Sequence, residues 1–494
     1  MPEMKTKRGL HPATLYLIWA AFLIAIVVIA LALEYPALSA TFGYNLDISD
    51  GWAEYSWLER AFFFLRYANG LAGGLGVEQA AAGLTITLLL AVARHVGLLA
   101  AIADGWCRNV SVPMIPASVA LVGITGGIIG IYWQFFFLPV AAYVFQRARL
   151  HPVAGIMVAF VSGCAAHAAG LLLPGGASQF LPAWFEVNSP DTSLLVFHSA
   201  YMIYAILVPF TVIGFAWMCW RRTVPTLIRI SGGTLPEDEA LPAAAPADSR
   251  RGGRAVALLV FLVIATLVML TVKPGTGFRM EGSGSTQPLL NVLPTTFMAT
   301  LVALIFIFGI RARTLRSDDD VWSPMIAAGP ELGRLVVMTF AVGALIIATS
   351  LVNWPWLAES IILGASEAAD GGLYGMAFLL FFVIFCITFA SPVWALTGTY
   401  AISVMQVFTG LGVSTMVPQT IILMATAAAT MVSPASLVLV YGWLVARRFM
   451  PELKLGQFIA GLVPYALIFA LLSLGMAAIW YALGLPVLAG EPFQ

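Results

Sequence analysis

Charge is what this sequence lacks. Only 10% of its 494 residues are Asp, Glu, Lys or Arg, and 61% are apolar, against roughly 25% and 45 to 50% in ordinary soluble chains. With a mean hydropathy of +0.94 there is too little polar surface for water, so the solvent is lipid. The 24 Lys and Arg balance the 24 Asp and Glu, leaving no basic surplus to neutralise phosphates; a nucleic-acid partner and a disordered chain are both excluded. Cysteine is also scarce. Cys107, Cys164, Cys219 and Cys386 stand far apart, mostly in apolar runs, and read as small core residues instead of bridges or metal ligands. No metal and no cofactor is expected.

What is present is a succession of long apolar runs. The first, Ala13 to Leu33, follows Lys5, Lys7 and Arg8 and is longer than a signal-peptide core, without a small-residue cleavage site, so it reads as a transmembrane helix. The acid-only segment after it, Glu34 to Ser56, sets the N-terminus in the cytoplasm. Basic patches then recur at Arg94 and Arg108, Arg147 and Arg149, Arg221 to Arg254, Arg311 to Arg334, and Arg447 to Lys454. Placing these inside leaves only Arg60, Arg66, Lys273 and Arg279 outside, 4 of 24. Single spans are expected near 76–93, 196–219, 254–272, 289–310, 333–352 and 455–482.

Three uncharged stretches do not fit a single straight span. Residues 109–146 lie between Arg108 and Arg147, both basic and therefore on one side. One helix of that length would reach about 57 Å against a hydrocarbon core of about 30 Å, so the spacing predicts a re-entrant hairpin with its tip near Gly126 to Gln134. Residues 152–185 must cross once and contain Pro174-Gly175-Gly176, which predicts a broken helix. Residues 371–446 must cross an odd number of times, as a second hairpin followed by a span interrupted at Ser433-Pro434.

The expected fold is an all-α polytopic membrane protein of nine transmembrane helices and two re-entrant hairpins in an inverted repeat. Its parts are an N-terminal helix and external loop (1–56), a first repeat (57–219) opening on an interfacial helix with Arg60 and Arg66, a Pro/Ala-rich cytoplasmic linker (220–254), two connecting spans (255–332) and a second repeat (333–494). The C-terminus falls in the periplasm. Inverted repeats with interrupted helices belong to secondary transporters, because unwound backbone inside the membrane supplies polar groups and helix-end dipoles for a solute.

Several passages carry a resemblance. LHPVAGIMVAF at 150–160, SPVWAL from Ser391, the Ser433-Pro434 pair and the tail GQFIAGLVPY with GLPVLAG together resemble the AbgT family, the p-aminobenzoyl-glutamate transporters of the wider ion-transporter superfamily. IYWQFFFLPVAAYVFQRAR at 131–149 is also similar to short-chain fatty-acid transporters of that superfamily, which keeps a short-chain carboxylate open as the alternative solute. The resemblance implies a homodimer in a bacterial inner membrane, and of the family's substrate contacts it retains Ser391, Trp394 and Pro434. It also marks departures. Family members carry an Asp after the first broken helix, where this chain has Ala177, and an Arg and an Asp in the second, where it has Leu423 and Thr426. The family's polar hairpin tip is here IYWQ, so proton coupling is expected in preference to sodium.

With no charge deep in any expected span, the solute meets neutral groups. The candidates are Trp133, Gln134, Gly175, Gly176, Ser178, Ser391, Trp394, Thr397, Thr426, Thr430 and Pro434, with the aromatics stacking on the solute. For any one Ser or Thr the competing reading is a hydrogen bond to its own helix; for Trp133 it is packing. His167 is the candidate proton carrier, since its ordinary pKa near 6.5 lies where a proton gradient changes its charge. The competing reading there is a neutral histidine bonded to a helix carbonyl. Asp318-Asp319-Asp320 invites a metal-dependent enzyme, but no second acidic or His cluster accompanies it, and it reads as a solvated loop. The expected function is secondary active transport of a small organic acid or weakly charged aromatic compound, and not enzymatic catalysis.

Overall fold

The computed structural model describes residues 11–32, 80–166, 168, 193–232, 287–350, 358, 360–362, 364, 373–390, 408, 416–483, 486–488 and 491–492. They form helices throughout, apart from a short antiparallel ribbon, Pro486–Leu488 with Glu491–Pro492. The helices are α1 Pro12–Ala32, α2 Ala80–His95, α3 Leu98–Asn109, α4 Ile115–Gly126, α5 Ile131–Arg147, α6 Pro152–Ala165 and α7 Ser193–Met218. A π turn, Cys219–Thr223, leads into α8 Val224–Ile230. The rest are α9 Gln287–Arg311, α10 Asp319–Ala327, α11 Gly329–Ser350, α12 Leu373–Ala390, α13 Met416–Thr430, α14 Leu437–Phe449 and α15 Leu455–Ala482.

Among the described residues, the stretches 293–311, 329–349 and 455–480 are each long and apolar enough to cross a membrane. Their outer faces carry large exposed apolar side chains, with Phe340 and Leu471 both 70% exposed and Ile310 61%. Water would penalise such faces; lipid tails do not.

Local chemistry explains where helices begin and end. α1 and α6 both open on His-Pro: the proline takes the first helical position, where a missing N–H is harmless, and the histidine ring caps the next amide. Ala13 N–H donates to His11 Nδ1 at 3.2 Å and Val153 N–H to His151 Nδ1 at 3.3 Å. α5 and α9 end in matching left-handed turns at Arg149 (φ 59°) and Arg313 (φ 58°), closed by Leu150 N–H to Phe145 O at 2.8 Å and Thr314 N–H to Gly309 O at 2.9 Å.

The described basic patches gather at one end of the bundle. Thr314 Oγ1 donates to Val96 O, His95 lies 3.7 Å from Asp320, Arg147 lies 3.3 Å from Asp104, His151 contacts Ser231, Trp220 donates to Pro113 O, and Arg448 pairs with Glu331. α3 belongs to this end. It is bent 75° from α2, buries Leu98, Leu99 and Ala103 and turns Arg108 outward. The apolar pattern predicts a span near 76–93 and no helix directly after it; the structure adds one with a polar face. The Asp318-Asp319-Asp320 run is the start of α10, where the Asp320 carboxylate accepts from the Arg316 and Ser317 amides at 2.8 and 2.9 Å. Those amides hold its carboxyl below the ordinary carboxylate range. Among the described residues no group of three His, Cys, Asp or Glu side chains is arranged to hold a metal, and all four thiols are free.

His151 is fully buried. With Nδ1 accepting from Val153, the ring proton sits on Nε2 and donates to Ser231 Oγ at 2.9 Å. Burial pulls its pKa from 6.5 down to about 4, so between those values the unfolded chain takes up a proton that the folded one refuses. This contribution to stability is complete above pH 6.5 and falls as pH drops towards 4. The loss tied to Asp320 lies lower, below its ordinary 3.8. Thermal unfolding in detergent should therefore show a midpoint that falls with pH in the upper window, and His151→Asn, which keeps a capping oxygen, should flatten that slope. An unchanged slope would remove His151 as its source.

Candidate functional site

Four helix ends stop inside the bundle at matching depth. Measured from the Arg-rich end, α6 (14 residues) reaches about 21 Å, α14 (13 residues) about 20 Å and α5 (17 residues) about 25 Å. None of the three is long enough alone to cross about 30 Å of hydrocarbon. α4, with 12 residues, comes back from the same end as α5, so residues 110–147 form the hairpin expected from the charge count. Its turn is Gly126 to Gly130 and not Gly126 to Gln134: Gly130 takes φ 74°, ψ −144°, open only to glycine, and Ile131 to Gln134 already form the first turn of α5.

The hairpin tip is pressed onto α6. A Cβ on Gly123 would overlap Ser162 Oγ, and one on Gly127 would overlap the Ala166 methyl group. Gln134, buried in the same seam, lies where a Cβ on Gly163 would be 2.9 Å from its Cγ. Trp133 points the other way. Its ring covers Gly126, stacks on Phe137 with centroids 5.1 Å apart and meets the edge of Phe297 at 5.9 Å. One face of the indole is thus occupied by packing, while its Nε1 is buried without a hydrogen-bond partner among the described residues.

α5 and α14 run parallel and in register. Phe135 and Tyr441, each in the second turn of its helix, meet at 4.9 Å; Tyr143 and Phe449, each two turns on, meet at 6.0 Å. Gly442 admits this approach, its missing Cβ facing Leu138 at 3.4 Å. The N-termini of both helices therefore lie side by side in the interior. Each presents about half a positive charge from its peptide dipoles. α5 has no side-chain cap at Gly130, whereas Ser436 Oγ caps α14 by accepting from Leu439 N–H at 3.4 Å.

The break before α14, residues 431–436, is held from two sides. Tyr16 of α1 donates to the Pro434 carbonyl at 2.6 Å, and Ser433 Oγ donates to Phe389 O, in the last turn of α12, at 2.8 Å. Thr426 and Thr430 are buried and donate to their own helix, to Ile422 O at 2.7 Å and Thr426 O at 2.8 Å; their hydroxyl protons are committed, leaving lone pairs. Trp133 and Gln134 thus lie in the first turn of α5 and Pro434 just before the start of α14, the two helices in register, while Thr426 and Thr430 lie in the last turns of α13. Gly175, Gly176, Ser178, Ser391, Trp394, Thr397 and His167 lie outside the described residues, as do Arg60 and Arg66. Sequence reasoning missed Tyr16 and Ser162. Ser162 had a signal, the small-residue spacing of Gly123, Gly127, Ser162, Gly163 and Ala166; Tyr16 had none, its partner being 418 positions away.

A family profile described as "AbgT putative transporter family" matches residues 10–494. The chain belongs to the AbgT family. Among AbgT relatives, the p-aminobenzoyl-glutamate transport protein of Escherichia coli (strain K12) is 25% identical over 435 residues, 83% of this chain and 81% of that protein. The fold is similar to the YdaH transporter of Alcanivorax borkumensis, of unusual topology (TM-score 0.55, 19% identity, 97% of this chain and 100% of that one). It is also similar to MtrF of Neisseria gonorrhoeae, described with a class of antimetabolite efflux pumps (TM-score 0.51, 18% identity, 98% of each chain). This AbgT chain is accordingly a multi-pass membrane transporter of small-molecule solutes and not an enzyme.

Proposed function

We propose that the protein is a secondary active transporter of the bacterial inner membrane for a small organic mono-acid or a weakly charged aromatic compound related to aminobenzoate. The observation that carries this reading is the parallel pair α5 and α14, whose N-termini lie side by side at the depth where the hairpin and α6 stop. Two N-termini supply about one positive charge between them, enough for one carboxylate, and apart from Asp104 in the middle of α3 the charged residues in the described helices stand near their ends. The Trp133 Nε1 adds a neutral donor. Ser391, Trp394 and Thr397 complete the site from the second hairpin, and Gly175, Gly176 and Ser178 from the first broken helix.

The inverted repeat is the reading of how the two halves alternate. The N-terminus and the 220–254 linker stand in the cytoplasm, the C-terminus in the periplasm, and the chain works as a homodimer. His167 carries the coupling proton.

The test is uptake into proteoliposomes of 4-aminobenzoate, p-aminobenzoyl-glutamate, short-chain carboxylates and a sulfonamide under separate proton and sodium gradients. Saturable accumulation of the aminobenzoate against its gradient, driven by protons and lost in His167→Gln while downhill exchange persists, is the expected result. Non-saturable flux that no gradient drives uphill would make the protein a channel. Uphill transport persisting in His167→Gln would return that histidine to helix packing.

A further inference from the structure

The outward side of α7 carries Ile206, Phe210, Ile213 and Trp217, all exposed. Their helical spacing makes them one stripe along the helix, and a stripe of that kind faces lipid tails. Past Trp217 its chemistry changes within one turn. The π turn Cys219–Thr223 carries the helix on into α8, and the exposed positions become Arg221 with Arg222, Pro225 with Thr226, then Arg229 with Ile230. The opposite side is fixed to the bundle: Cys219, Thr223, Val224 and Leu227 are buried, and Thr223 Oγ1 shares a hydrogen bond of 2.7 Å with the Tyr465 hydroxyl. Tryptophan giving way to arginine about 6 Å along the axis is the pattern of a helix leaving hydrocarbon for the headgroup layer.

A second piece of chain reaches the same level. Trp220 Nε1 donates to the Pro113 carbonyl at 3.0 Å, in the turn Val112–Met114 that joins α3 to α4. Val112 and Met114 are exposed, as is Arg108 in the last turn of α3. Counter-charge is scarce here. Residues 105–185 and 192–236 contain no Asp or Glu, Asp104 is paired with Arg147 at 3.3 Å, and the ion pairs among the described residues include none of Arg108, Arg221, Arg222 and Arg229. Elsewhere at this end the charges balance, with Arg311, Arg313 and Arg316 standing before Asp318, Asp319 and Asp320. Uncompensated guanidinium groups beside exposed apolar side chains fit a phosphate that carries acyl chains: the arginine fork takes the phosphate oxygens, and Trp217, Val112 and Met114 meet the tails.

We propose that the end of α7, α8 and the Val112–Met114 turn together bind an anionic phospholipid of the leaflet at the Arg-rich end, with its phosphate on Arg221 and Arg222 and with Arg108 and Arg229 adding to the attractive field. The site is independent of the solute reading above. A lipid held there touches both partners of the Trp220–Pro113 contact, and because it binds the folded protein it stabilises the fold.

Native mass spectrometry of the full-length protein in detergent, titrated with phosphatidylglycerol or with phosphatidylcholine of the same chain length, counts the bound lipid by mass. The unaltered protein should retain phosphatidylglycerol in preference to phosphatidylcholine. Arg221→Gln combined with Arg222→Gln should lower phosphatidylglycerol affinity about thirtyfold, from about fivefold for each arginine at an anionic surface, and leave phosphatidylcholine binding unchanged. Lysine at both positions should keep most of the preference. Arg311→Gln, exposed at the same end on the charge-balanced side, should keep all of it. Phosphatidylglycerol should also raise the thermal unfolding midpoint of the unaltered protein and not that of the double glutamine variant. Equal retention of the two lipids by the unaltered protein, unchanged phosphatidylglycerol affinity in the double glutamine variant, or an equal loss in Arg311→Gln would overturn the site. Displacement of the lipid by inorganic phosphate at matched concentration would overturn it too, by giving the arginines to a soluble anion.

Discussion

Gly127→Val should reduce transport at least about tenfold and lower thermal stability, and Ala166→Gly introduced with it should recover much of both. A Cβ at Gly127 already overlaps the Ala166 methyl group, and valine adds two further carbons to a seam where hairpin and helix backbones are in direct approach. Overpacking of this kind costs about 1 to 3 kcal/mol when the surroundings yield. Here the part that yields is the hairpin tip, and a tip displaced outwards carries the uncapped start of α5 and the Trp133 indole with it. The double variant isolates the seam from general misfolding, because the two changes act on one contact and should be strongly non-additive. Gly105→Ala is the control: nothing lies within 4 Å of the position its Cβ would take, and it should behave as wild type. Normal transport by Gly127→Val, or additive defects in the double variant, would show that the tip does not need this contact.

The same seam shows what was legible in the sequence. The charge count predicts that 109–146 returns to the side it left, and α4 and α5 do turn back on each other there; it also predicts a span at 455–482, where α15 lies. α7, α9 and α11 fall within a few residues of the spans expected at 196–219, 289–310 and 333–352. Helix ends in lipid are marked by charges, and charges are few enough here to be unambiguous. The tip was less legible. GGIIGIYWQ offers glycines at 126, 127 and 130, and only the backbone angles single out Gly130 as the residue where α5 can begin. α3 was missed because its span of 12 residues mixes Asp104 and Arg108 with apolar positions, a pattern that reads as loop when only long apolar runs are sought. The register of α5 against α14 was beyond reach: it depends on Phe135 meeting Tyr441 across more than 300 positions, and nothing local in either helix announces the other.

That register leads to a substrate preference with a large expected effect. A mono-acid such as 4-aminobenzoate should be transported with an efficiency at least about a hundredfold above that of a dianion such as p-aminobenzoyl-glutamate. At the interior site the described helix ends are the N-termini of α5 and α14, each worth about +0.5, set against the C-termini of α4, α6 and α13, each worth about −0.5. The effect of a helix end falls off within one turn, so one carboxylate seated directly between the two N-termini is matched by them. A second must be brought out of water among carbonyl ends, with Leu423 and Thr426 at positions for which the family resemblance implies Arg and Asp, and leaving a charge unpaired in such a place costs several kcal/mol. A few kcal/mol is already a hundredfold or more in relative rate. Introducing a cation should narrow the gap: Leu423→Arg is expected to raise dianion transport relative to mono-acid, and Leu423→Met, which keeps size without charge, is not. The measurement is competition between the two labelled solutes in the same proteoliposomes. High-affinity saturable uptake of the dianion by the unaltered protein would refute the preference, and would mean that cationic groups reach the solute from residues other than those that frame α5 and α14.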